Sequence, residues 1–141
     1  VTHIRKQVRD ATVTLLSGAT DAGTRVYASR SRPLETSNLP AIRVFCRGDQ
    51  FVEWESIASG DAAFWRDVTL VIEVVDRATS LVEDAIDTVA EQVETAMAAN
   101  KTLSLTGVLH HEYQATDISF DTDGEQDHAV AAITYTVHAT P

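Results

Sequence analysis

Residues 64–99 change their hydrophobic period in mid-course, and that change constrains the fold more than any other feature of the sequence. "FWRDVTLVIEVVDR" alternates, placing Val68, Leu70, Ile72 and Val74 on one side with the two-residue period of a strand. The period then becomes helical. Leu81, Val82, Ala85, Ile86, Val89, Val93 and Met97 line one face of a helix over 79–99, and Glu83, Asp84, Asp87, Glu91 and Glu94 hold much of the rest. Thr79 or Ser80 caps this helix; Ser80 and Glu83 have the spacing of a capping box, and Asn100 supplies the stop. Such a helix cannot bury its stripe alone, so it must lie on an apolar sheet face.

The remaining segments supply that sheet and a second helix. Ile4, Val8, Ala11, Leu15 and Leu16 recur at helical spacing over 2–17, with Thr2 as N-cap and Gly18 as stop. "TRVYASR" reads as a strand, and Pro33 and Pro40 force the following loop toward extended backbone. "AIRVFCR" is a second strand with Ile42, Val44 and Cys46 on one side. "GDQ" reads as a turn, "FVEWES" as a third strand and "ASGDA" as another turn before the 64–77 strand, the longest of an antiparallel meander. Strands around 111–121 and 128–139 flank the turn "DTDGEQ". Val130, Ala132, Tyr135 and Val137 do not share one parity, which implies a bulge or a two-sided strand. The expected fold is α+β: a single mostly antiparallel β-sheet with two amphipathic helices packed on one face, in one domain spanning residues 1–141.

Charge is unevenly placed along the chain. Residues 1–47 hold eight of the 11 Lys and Arg and three of the 21 Asp and Glu, a net of +5 within a protein of net charge −10. The rest carries −15 by the same count. Either two solvated faces differ in composition, or a positive and a negative patch let identical copies meet head to tail, as a closed ring requires. The overall sign argues against wrapping nucleic acid, which needs many phosphate-neutralising cations. No apolar run approaches the length of a membrane span. The N-terminus mixes charges through its apolar positions, unlike a signal peptide, and the start at Val1 suggests processing or trimming. Cys46 is the sole cysteine, so no intrachain disulfide forms, and a soluble intracellular product is the expectation.

No catalytic residue, cofactor site or metal ligand is expected from the sequence. His110 and His111 are adjacent and point to opposite faces of a strand, and His3, His128 and His138 lack ligand spacing to them. "DTDGEQD" departs from a calcium loop, because Ser119 and Val130 stand where ligands are required. The helical carboxylates fit a solvated face, and Cys46 falls on the apolar parity of its strand. Phosphate loops, dinucleotide fingerprints and nucleophile elbows do not occur. The aromatics Phe51, Trp54, Phe64 and Trp65 cluster near two expected turns. Phe64 and Trp65 cannot both face inward from one regular strand, so one is open to a partner.

Three segments together carry a family likeness: "RVYASRSRPLETSNLPAIRVF", "RDVTLVIEVVDRATSLVEDAIDTVAEQVETAM" and the two-strand tail. The chain resembles, over nearly its whole length, the tail terminator proteins of long-tailed bacteriophages, the minor tail protein U type. The resemblance implies a structural virion protein and not an enzyme. Its subunits would form a homo-oligomeric ring, a hexamer, on the head-proximal end of the tail tube. That ring stops tube polymerisation and joins the tail to the head–tail connector, or neck protein. DNA passes through the channel only as cargo, and no membrane is involved. The location implied is the neck of the virion, after assembly in the host cytoplasm. Arg25, Arg30, Arg32, Trp54, Phe64 and Trp65 are the candidate subunit or tube contacts. Another neck or tail-completion protein, a small α+β ligand-binding domain, and an unrecognised enzyme are the alternatives.

Overall fold

The computed structural model describes residues 3–28, 39–56, 63–77, 82–121 and 128–141. Helix α1 (Ile4–Leu16) is capped by His3, whose side chain accepts a hydrogen bond from the Arg5 amide at 3.1 Å, and Thr2 lies outside the described residues. Strands β1 (Val26–Tyr27), β2 (Ala41–Ser56) and β3 (Ala63–Arg77) follow. Helix α2 (Val82–Ala99) leads into β4 (Val108–Asp121) and β5 (His128–Ala139). The five strands form one sheet in the order β1-β2-β3-β5-β4.

The sheet is mostly antiparallel, and both helices lie on one face. Val68, Leu70, Ile72 and Val74 of β3 are buried there beside Ala131, Ile133, Tyr135 and Val137 of β5, their partners across the ladder. Ile86, Val89, Val93 and Met97 of α2 close over these residues, and α1 contributes Val8 and Leu16. Thr12 joins that α1 stripe because its hydroxyl donates to the Val8 carbonyl at 2.7 Å and needs no other partner. Ala85, expected on the buried stripe of α2, is exposed, so the contact face is narrower than the apolar pattern. The other face of the sheet buries Ala41, Phe45, Val71 and Val75. No helix is long and apolar enough to cross a membrane among the described residues.

Two expectations about the strands need correction, and a third is decided between its two alternatives. First, β1 runs parallel to β2, pairing Val26 with Ile42 and Tyr27 with Arg43, so it is not a rung of an antiparallel meander. Second, "GDQ" is not a turn. Residues 41–56 form one strand, one residue longer than β3, and a bulge between Cys46 and Gly48 absorbs Arg47. Continuous pairing with β3 supplies the hydrogen bonds that a turn would have forfeited. Third, β5 is regular: His128–Ala139 alternates without a shift, and the irregularities sit in β4, between Val108 and His110 and between Tyr113 and Ala115. The odd positions of β5 are buried under the helices and its even positions, Val130 and Ala132 among them, are half-buried on the opposite face, so the apolar pattern is two-sided. The expected turn at 58–62, that at 121–126 beyond Asp121, which ends β4, and the caps at Thr79 and Ser80 lie outside the described residues.

Candidate functional site

The order of strands leaves two stretches of sheet edge without a pairing strand among the described residues. One is β4 along its whole length. The other is β2 beyond Arg43, because β1 pairs only with Ile42 and Arg43. Both carry large exposed apolar side chains: Phe51, Val52 and Trp54 on β2, and Leu109, Tyr113, Ile118 and Phe120 on β4, each about half exposed. Exposed apolar strand edges are templates for pairing with another chain.

The β2 patch is assembled by bulges. Cys46 pairs with Leu70, Asp49 with Val68, Phe51 with Arg66 and Trp54 with Phe64. The register shifts after Cys46 and after Phe51 therefore put all four β2 residues on the helix face. There Phe51, Trp54 and Phe64 form a triangle with ring centroids 5.3 to 5.6 Å apart, and the Arg66 guanidinium lies 4.4 Å from the Phe64 ring. Trp65 pairs with Glu53 and points to the opposite face. Trp54 and Phe64 are thus brought together and Trp65 is not. Phe51, which was not among the expected contacts, completes the group.

The base of this aromatic group is fixed by ions. Asp49 accepts from Arg5 of α1 and, at 3.0 Å, from Arg66 of β3. Burial raises the Asp49 carboxyl, but hydrogen bonds and charge from Arg5 and Arg66 outweigh it and hold the group below its ordinary value. Cys46 sits just inside, its thiol 3.4 Å from the Arg5 carbonyl oxygen. Burial pushes that thiol up to about 11 against the opposing charges of Arg9 and Arg5, so it is a poor nucleophile.

The arginines are more committed than the sequence implies. The Arg25 Nε donates to the Pro40 carbonyl at 2.9 Å, and its Nη2 reaches the Asp21 carbonyl at 3.4 Å, tying β1 to the start of β2. Arg43 pairs with Glu73 at 3.2 Å, and Lys6 pairs with Asp10. Arg30 and Arg32 lie outside the described residues. By contrast, Glu83, Asp84, Asp87, Glu91 and Glu94 are all exposed on α2 and make no salt bridge among the described residues. The anionic half of the charge split is therefore available to a partner, while much of the cationic half is used internally.

A cleft of about 410 Å³ opens between the end of α2 and β4, lined by Glu94, Ala98, Lys101, His111, Tyr113 and Tyr135. His111 serves the fold. The His111 Nε2 lies 2.8 Å from the Met97 carbonyl and 3.1 Å from that of Asn100. Carbonyls only accept, so this nitrogen carries the proton and closes the C-terminal end of α2. Burial, followed by the charges of Glu94 and Tyr113, pushes the Tyr135 phenol well above its ordinary value.

With this geometry in hand, comparison with known proteins is informative. A family model described as phage minor tail protein U matches residues 3–138. No curated protein matches the chain at a significant level. Among solved structures, a chain from the virion of a native gene transfer agent (GTA) particle is 15% identical, with a TM-score of 0.65, covering 99% of this chain and 100% of that one. At that identity the likeness establishes a shared fold across the full length of both chains.

Proposed function

We propose, since this chain belongs to the phage minor tail protein U family, that it is the tail terminator: a ring, most simply a hexamer, that caps the head-proximal end of the tail tube. In this reading the ring stops tube growth and offers its far side to the head–tail connector. It resides at the virion neck after assembly in the host cytoplasm. The likeness to a chain of a GTA virion supports a place within a particle. A net charge of −10 suits a channel wall over which DNA must slide without being gripped. Nothing in this role requires catalysis, and residues 1–141 act as one unit.

The observation that carries the reading is the pair of apolar edges. The β2 group of Phe51, Val52 and Trp54 and the β4 group of Tyr113, Ile118 and Phe120 stand at opposite sides of one sheet. They cannot cover each other within a subunit. A head-to-tail contact between copies covers both at once, and such a contact closes into a ring when its rotation permits. Trp54 and Phe64 are the aromatic anchors of that contact, and the acidic face of α2 favours a cationic neighbour. Arg30 and Arg32 are assigned to that cationic surface. Trp65, on the opposite face, is assigned to the tube or to a neighbouring subunit.

The test is mass in solution across concentration by light scattering, paired with negative-stain imaging of tails that contain the protein. A ring near six subunits, formed in solution or on tails at their head-proximal end, is the expected result. A monomer at every concentration with no place in the particle removes the proposal. Replacing both Arg30 and Arg32 with Glu is expected to weaken assembly about tenfold or more while the far-ultraviolet circular dichroism stays unchanged. Assembly equal to wild type would remove those two residues from the interface.

A further inference from the structure

On the sheet face away from the helices, the register places three side chains that the sequence keeps far apart in one row. His110 of β4 pairs with His138 of β5, and His138 pairs with Asp67 of β3. Glu112 is two residues beyond His110 on the same strand and so on the same face. The donor atoms of His110, Glu112 and His138 all lie within 4.8 Å of one another. We propose that these three residues form a binding site for a divalent transition-metal cation of the zinc class.

The distances favour this. Zinc binds imidazole nitrogen and carboxylate oxygen at about 2.0–2.2 Å, so tetrahedral ligand atoms stand roughly 3.3–3.5 Å apart. The Glu112 Oε1 is 3.1 Å from the His110 Nε2 and 3.5 Å from the His138 Nε2. The His138 Nδ1 lies 2.7 Å from the Asp67 Oδ1. A carboxylate only accepts, so Nδ1 donates to Asp67 and the ring turns Nε2 toward Glu112. That Nε2 is shielded from solvent and has no hydrogen-bond partner among the described residues. Asp67 thus plays the part that carboxylates commonly play behind metal-binding imidazoles, fixing tautomer and ring orientation. His110 and Glu112 remain partly exposed, which leaves a coordination position open to water.

Bound there, the ion would link β4 to β5 on the face opposite the helices and stiffen the sheet edge. The site is independent of any ring. Its sequence signal is only His-x-Glu on a strand, and the third ligand is supplied by strand register.

The experiment titrates tag-free, chelator-stripped protein with zinc chloride by calorimetry, with cobalt(II) as an absorption probe of ligand geometry. One ion per chain, and a thermal midpoint that rises with zinc concentration, are expected. His110→Ala, a change at a partly exposed position that leaves the core untouched, should weaken binding at least about tenfold, and Asp67→Asn about ten- to a hundredfold. Circular dichroism confirms that both remain folded. Failure of the wild-type protein to bind zinc at tens of micromolar, or undiminished binding by the His110→Ala/Glu112→Gln double variant, overturns the proposal.

Discussion

Asp49 ties three elements together, since it lies in β2 and its carboxylate accepts from Arg5 of α1 and Arg66 of β3. Its carboxyl is held below the ordinary value of 3.8. The stability this confers is therefore full above the unfolded value and is lost as pH falls through the lower folded one. Asp49→Asn should cost about 1 kcal/mol at neutral pH, a modest figure because Arg5 is nearly half exposed. Urea midpoints of the two proteins should differ at neutral pH and converge in acid, once the wild-type carboxyl is protonated. A gap that persists unchanged into acid would show that packing, and not the ion pairs, makes the difference. The sequence hides this role. In "GDQ" an Asp beside a Gly signals a turn, and only the pairing of Gln50 with Asp67 across the ladder reveals a strand.

At the scale of elements, the features with a strong period were legible. The stripe Ile86, Val89, Val93 and Met97 and the alternation Val68 to Val74 both lie in the core as their spacing predicts. The bulges were not. They re-phase β2 so that Cys46, Asp49, Phe51 and Trp54 share a face although their spacings are three, two and three. A strict two-residue period cannot register that. The same limit hid the meeting of His110 with His138, which depends on the shift after Val108. The opposite orientations of His110 and His111, however, followed from adjacency alone. His111 joins α2 to β4 by closing the Met97 and Asn100 carbonyls, and its amide donates to Lys101 at 3.1 Å. His111→Ala leaves those carbonyls without the imidazole donor and opens a void, at an expected cost of about 1–3 kcal/mol. Hydrogen exchange should accelerate first in the last turn of α2 and along β4. Acceleration spread evenly over all strands would instead mark a general loss of packing.

For the molecule as a whole, the decisive feature is that its two apolar edges differ. An isologous dimer would bury one kind of edge against itself, whereas a ring must join unlike edges. Two variants separate these cases. Trp54→Glu spoils the β2 edge and leaves β4 intact, and Ile118→Asp does the reverse. Both positions are about half exposed, so each variant should fold. If unlike edges meet, neither variant assembles alone, because every contact needs one edge of each kind. Mixed in equal amounts, they retain one sound β2 edge and one sound β4 edge between them. That combination permits a single contact and no second one, so the mixture should yield dimers and stop there. Light scattering of the two variants alone and together reads this directly. A variant that dimerises by itself would mean that like edges pair, and the proposed ring would lose its basis in these edges. Dimers only in the mixture would establish head-to-tail polarity, the property that lets one subunit type close a ring of defined size on the end of a tube.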